Sequence, residues 1–248
     1  MNQHRIITSI YTSESLVATG RRHHVDDYSA ALQKAIEFQE AGIDEVIFMD
    51  ITPFNERRRH LGRFLKDASA NLRIPYVFGG GIHTISDVED MLKAGAPRIY
   101  VNSAAVKNPE LINKISKKHG SESLLVAIDT KRTFGKWKVY LNGGKSRTEI
   151  DLLNWVRMSE VRGAGELLIS TVLRGHNDHQ EAFGILSEIT QITQVPLLAS
   201  VGIESLDDIA TLFSIRGVQG VVSTHFFGQD LQHIRQVKEM LSVQFGNL

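Results

Sequence analysis

The stretch "IPYVFGGGIHTISDVEDMLKAG" (residues 74–95) lines up with "VPLLASVGIESLDDIATLFSIRG" (195–217), Pro75 on Pro196, Gly81 on Gly202 and Ile82 on Ile203. Each copy opens with a short apolar run, passes through glycine and ends in an amphipathic stretch of helical period. That order reads as strand, turn and helix. A second pair, "AGIDEVIFMD" (41–50) and "RGAGELLIST" (162–171), repeats at the same spacing of 121 positions, about half the chain. A half-barrel duplicated and fused explains this self-similarity, with halves at about 1–120 and 121–248.

Outward from these copies, strand-like runs alternate with helix-length stretches throughout. The strand candidates are 5–11, 45–51, 75–80, 98–103, 123–129, 166–171, 196–202 and 220–225, with helical patterns near 28–41, 56–70, 84–95, 108–119, 151–163, 178–193, 205–215 and 230–243. Eight strand–helix units in 248 residues predict a single (β/α)8 (TIM) barrel spanning the chain rather than an open doubly wound sheet. Ser86 with Glu89 fits a capping box, and Asn108-Pro109 fits an N-cap followed by a first helical residue. The remaining connection, "KRTFGKWKVYLNGGKSRTEI" (131–150), alternates like a hairpin and is expected to fold over one end of the barrel.

Composition removes several function classes. Lys+Arg and Asp+Glu each number 28, which leaves no net field to draw nucleic acid or an anionic membrane. The chain has no cysteine, so it has no disulfide or thiolate chemistry. It lacks both an 18-residue apolar run and a signal-type apolar stretch near its N-terminus, so a cytoplasmic location is expected. His176, Asp178 and His179 in "GHNDHQ" (175–180) match neither an i, i+4 pair nor a zinc signature, and read as a solvated loop. The basic clusters "RRHH" (21–24) and "ERRRHLGR" (56–63) read as solvated surface. No metal and no cofactor are expected.

Consecutive glycines at a strand end are costly unless something approaches the main chain. In a (β/α)8 barrel that end carries the ligand chemistry. Gly80 and Gly81, with Asn102 and Ser103 after the next strand, make a candidate phosphate cradle, and tight strand–helix packing is the alternative. The repeat offers a second cradle at Gly202 and Thr224, with His225 beside it. At the opposite strand ends, Arg5, Glu45, Arg98 and Glu166 can point into the barrel floor. Two cations and two anions there are tolerable only as a neutralising ring. Simple closure of the floor would also explain them.

The stretches "VFGGGIHTISD" (77–87), "VNSAAVKNPELI" (101–112), "VAIDTKR" (126–132), "VYLNGG" (139–144) and "RGAGELLIS" (162–170), in that order, resemble the cyclase subunit (HisF) family of imidazole glycerol phosphate synthase. The resemblance implies a barrel that receives ammonia from a glutaminase (HisH-like) subunit through its lumen. With that ammonia it would split a bis-phosphorylated aminoimidazole-carboxamide substrate and close an imidazole ring. It assigns the four floor charges to an ammonia gate, and general acid–base work to two aspartates ending strands one and five.

Asp129 matches the second aspartate and Asp50 is retained, but Tyr11 stands where the first would be. A phenol with a reference pKa near ~10 is a poor base at neutral pH. Thr19 replaces a loop lysine, Val172, Leu173 and Arg174 replace an acidic stretch, and Pro97 replaces an acidic residue that touches the glutaminase. The pattern implies a diverged relative in which the ammonia path outlasts the cyclase chemistry, as in amidination of surface-polysaccharide sugars. A working histidine-pathway cyclase and a sugar-phosphate isomerase of the sister barrel family are the alternatives.

Overall fold

The computed structural model describes residues 4–13, 26–52, 60–171 and 178–246. The barrel strands are β1 (Arg5–Thr12), β2 (Glu45–Asp50), β3 (Tyr76–Gly79), β4 (Ile99–Val101), β5 (Leu124–Thr133), β8 (Glu166–Thr171), β9 (Leu197–Ser200) and β10 (Val218–Val222). Every neighbouring pair is parallel, and β10 returns to β1 through Arg5↔Gly220, Ile6↔Val221 and Ile7↔Val222, so the sheet closes. The fold is the expected (β/α)8 barrel.

The helices that cover it are α1 (Tyr28–Ala41), α2 (Leu61–Asn71), α3 (Ile85–Ala94), α5 (Glu110–His119), α6 (Leu152–Val161), α7 (Asp178–Ile192), α8 (Leu206–Ser214) and α10 (Gln232–Phe245). Two short helices, α4 (Ser103–Lys107) and α9 (Thr224–Gln229), follow β4 and β10 and were not expected. The capping box of α3 sits two residues before the expected one. Thr84 caps the Asp87 amide, and Asp87 Oδ2 accepts from the Thr84 and His83 amides at 2.7 and 2.9 Å. Ser205 and Asp208 build the same box on α8, 121 positions later. The short aspartate reaches back to two amides at once, and this choice displaces Ser86–Glu89. Helix α5 begins at Glu110 with Pro109 in the cap position, one residue later than expected and without a side-chain cap.

Strand parity sorts the core into two bodies. Outward-facing residues such as Ile6, Ile10, Val46, Phe48 and Phe78 pack under the helices. Inward-facing Ile7, Ile47, Val77, Leu125, Ala127, Leu168, Leu198 and Val222 fill the lumen, with Met49 and Tyr100 packed on them. Strand β5 overshoots the barrel and pairs antiparallel with β6 (Lys136–Leu141), which pairs with β7 (Ser146–Asp151). Phe134 and Gly135, with φ of 51° and 75°, form the two-residue turn between β5 and β6, whose left-handed backbone matches strand twist.

The glycine run after β3 is explained mainly by packing. A Cβ on Gly79 would stand 2.6 Å from the Tyr100 side chain, and one on Gly80 1.8 Å from the Asp50 carbonyl oxygen. Gly80 also has φ of 107°. Gly80→Ala is therefore expected to lower stability by at least about 2 kcal/mol, read from urea midpoints, because backbone strain and overpacking act together. Gly143, with φ of 65° and open space around its Cβ position, should lose no more than about 1 kcal/mol on the same change.

Candidate active site

Alternation along each strand decides which polar groups meet in the mouth. On β1 the inward set is Arg5, Ile7, Ser9 and Tyr11; on β4 and just beyond it is Arg98, Tyr100 and Asn102; on β5 it is Leu125, Ala127 and Asp129. Asp129 is 7% exposed. Burial pushes its carboxyl up from the usual range, against the opposing pull of the Asn102 amide, the Gly144 and Gly143 backbone N–H groups and the Lys131 ammonium. Its Oδ2 finds no hydrogen-bond partner among the described residues, and neither does Asn102 Oδ1.

The hairpin holds these donors over the site. Asn142 N–H donates to Ser103 Oγ at 2.9 Å and Lys131 Nζ to the Gly144 carbonyl at 2.5 Å. Tyr100 was missed from sequence. Burial and then the Asp129 carboxylate raise its phenol far above the usual value, with Tyr11 adding to the effect. It therefore stays protonated at every physiological pH. The signal was available, since two-residue steps from Arg98 place Tyr100 in the lumen.

Because Asp129 is raised in the fold, the folded protein holds its proton to higher pH than the unfolded chain does. Its contribution to stability therefore falls as pH rises from the ordinary carboxylate range through the folded value. Asp129→Asn is expected to be more stable than the parent at pH 7, with the gap closing as the medium is acidified below that range. Thermal unfolding at both pH values checks this.

Several expected site residues are placed differently. Asp50 lies on the outer face of β2, with the parity of Val46 and Phe48, away from Asp129. It accepts from Tyr28 Oη at 3.2 Å and from the Thr52 amide and hydroxyl at 2.8 and 2.5 Å, so it fastens α1 and the strand end. The Ser103 hydroxyl is taken by the hairpin, and Asn102 turns into the lumen rather than toward a cradle. Thr224 Oγ1 is shared with Ser9 Oγ at 2.5 Å. The exposed His225 lies against Gln229 at 2.8 Å. Gly81 and Gly202 keep left-handed backbone, with φ of 59° and 73°. Thr19, Val172, Leu173, Arg174 and His176 lie outside the described residues, and Asp178 and His179 open α7 rather than a loop. Among the described residues no cluster of three or more metal-type ligands occurs, and no helix is long and apolar enough to cross a membrane.

The floor carries the expected ring. Arg5 Nη1 meets Glu45 Oε2 at 2.7 Å and Arg5 Nη2 meets Glu166 Oε1. Arg98 Nη1 meets Glu45 Oε1 at 2.9 Å and Arg98 Nη2 meets Glu166 Oε2 at 2.6 Å. Each guanidinium bridges both carboxylates, so all four carboxylate oxygens are used. Arg98 Nε also donates to the Glu122 carbonyl at 3.1 Å. Burial raises Glu45 against the pull of Arg98 and Arg5. Burial alone would lower Arg5, but Glu166 and Glu45 carry it above its ordinary value.

The molecule is thus a (β/α)8 barrel with a polar mouth and an ionic floor at opposite ends of an apolar lumen. The model of a family described as "Histidine biosynthesis protein" matches residues 5–232. Relatives named imidazole glycerol phosphate synthase subunit HisF include one from Flavobacterium psychrophilum, 37% identical over 78% of this chain and 77% of its own. One from Dictyoglomus turgidum is 38% identical over 85% and 84%, and one from Thermococcus onnurineus 32% over 96% and 94%. The chain belongs to the HisF family of histidine-biosynthesis proteins.

Proposed function

We propose that this chain is a diverged HisF-type subunit that takes ammonia from a glutaminase (HisH-like) partner at its floor and carries only weak ring-closing chemistry of its own. The observation behind this reading is the company of Asp129: inward-facing Tyr11 and Tyr100, where the family reaction calls for a second carboxylate. General acid–base catalysis contributes roughly 10²- to 10⁴-fold, and one group cannot hold opposite protonation states at once. In this reading Asp129 is the remaining acid–base group. The left-handed amides of Gly81 and Gly202 face a phosphorylated substrate across the mouth, and Arg5, Glu45, Arg98 and Glu166 form the ammonia gate. The ammonia would serve a further acceptor, of the kind met in amidination of a surface-polysaccharide sugar.

The working-cyclase reading is favoured by one feature, the donor set of Asn102, Gly143 and Gly144 still held around Asp129. Steady-state turnover of the bis-phosphorylated aminoimidazole-carboxamide substrate with ammonium salt separates the two. Imidazole product at a rate the Tyr11→Asp variant cannot improve supports the working cyclase and ends the diverged reading. Turnover of a sugar phosphate without ammonia would point to the isomerase alternative instead.

A further inference from the structure

Strand β4 contributes to every level of the barrel axis: Arg98 to the floor ring, Tyr100 to the lumen and Asn102 to the site. Above the ring, Ile7, Val77, Leu125 and Leu198 form an apolar layer with little or no exposure. Two residues further along the same strands stand Ser9, Gly79, Ala127 and Ser200, a small-residue layer, and between the two layers the alternate strands contribute Ile47, Tyr100, Leu168 and Val222. The Tyr100 ring lies against Gly79 of the small-residue layer. It packs on the lumen cluster, and it lies so close over β3 that position 79 tolerates no Cβ. At its far end the phenol is met by Asn102 Nδ2 at 3.5 Å, the outer limit of a hydrogen bond and so a weak latch. Tyr100 is half-buried, whereas Leu125 beside it in register is wholly buried.

We propose that Tyr100 is an upper door of the lumen, a gating residue whose ring separates the apolar layer above the ionic floor from the Asp129 site. Small neutral molecules pass between the two only when the ring swings aside. Its purpose rests on the ammonia-path reading above: an apolar segment shut at both ends excludes ammonium far more strongly than neutral ammonia. Floor ring and phenol together make two barriers in series between the site at Asp129 and the medium below.

The chain's lack of cysteine gives a clean test that uses no substrate. Val77→Cys places one thiol in the layer beneath the door, and methyl methanethiosulfonate serves as the probe. With Tyr100 in place, and equally with Tyr100→Phe, the thiol should react slowly. Tyr100→Ala should speed its labelling by about 100-fold or more, since access then no longer waits on an opening step. A Val156→Cys thiol, placed under the helices, should label at one rate in both backgrounds. This keeps a general loosening of the fold from imitating the result. Equal labelling of Val77→Cys with and without the ring, or acceleration of both thiols together, overturns the proposal. Turnover plays no part, so the door can fail while the acid–base reading stands, and the reverse.

Discussion

Tyr11→Asp raises turnover of the bis-phosphorylated substrate with ammonium salt by about 100-fold or more over the parent, the expected result of restoring a second carboxylate. Position 11 is the last residue but one of β1 and Asp129 lies mid-way along β5, where its pairing with β6 begins, both facing inward. The new carboxyl would therefore enter the mouth without displacing any outward packing. It would stand nearer water than the buried Asp129, which keeps its proton to higher pH. Two carboxyls in unlike surroundings can divide the acid and base roles, which a carboxyl and a phenol cannot do near neutrality. The pH profile should gain a second limb. Adding Asp129→Asn to the variant should remove the gain entirely, because the effect belongs to the pair. A Tyr11→Asp protein no faster than its parent would mean that position 11 does not limit the chemistry.

The fold was legible because its signals are local and repeated. Apolar runs ended by glycine recur at half the chain length, and position at the starts of β1, β2, β4 and β8 was enough to send Arg5, Glu45, Arg98 and Glu166 to one end. The site was only partly legible. Asp129 and Tyr11 follow from strand position, but Asp50 does not. One residue of parity moves Asp50 to the outer face, where Tyr28 and Thr52 hold it. Gly80 reads as a ligand cradle in one dimension, yet the Asp50 carbonyl that forbids a side chain there comes from a strand some thirty positions earlier. Ser103 was hidden in the same way, since the amide that occupies its hydroxyl comes from the hairpin. Contacts distant in sequence decided the Gly80 and Ser103 cases, and no periodicity carries them.

The floor ring should respond to single and joint replacement in opposite ways. Glu45→Ala leaves two guanidiniums sharing Glu166, and an uncompensated buried charge costs about 3–5 kcal/mol. The two arginines are 22% exposed, so the lower end of that range is expected, read as a fall in the urea midpoint. Replacing all four residues together, Arg5→Met, Glu45→Leu, Arg98→Met and Glu166→Leu, removes every charge at once. Apolar groups of similar volume in place of buried ion pairs are often neutral or stabilising by about 1–4 kcal/mol. The joint variant should therefore unfold no earlier than the parent, although each single change is harmful. That outcome would mean that the ring is not kept for stability, since an apolar plug closes a floor equally well. On the proposed ammonia path, what it would add is a closure that charges can open and reseal. A joint variant several kcal/mol less stable than the parent would instead make the ring a structural element and remove the main support for a path through the floor.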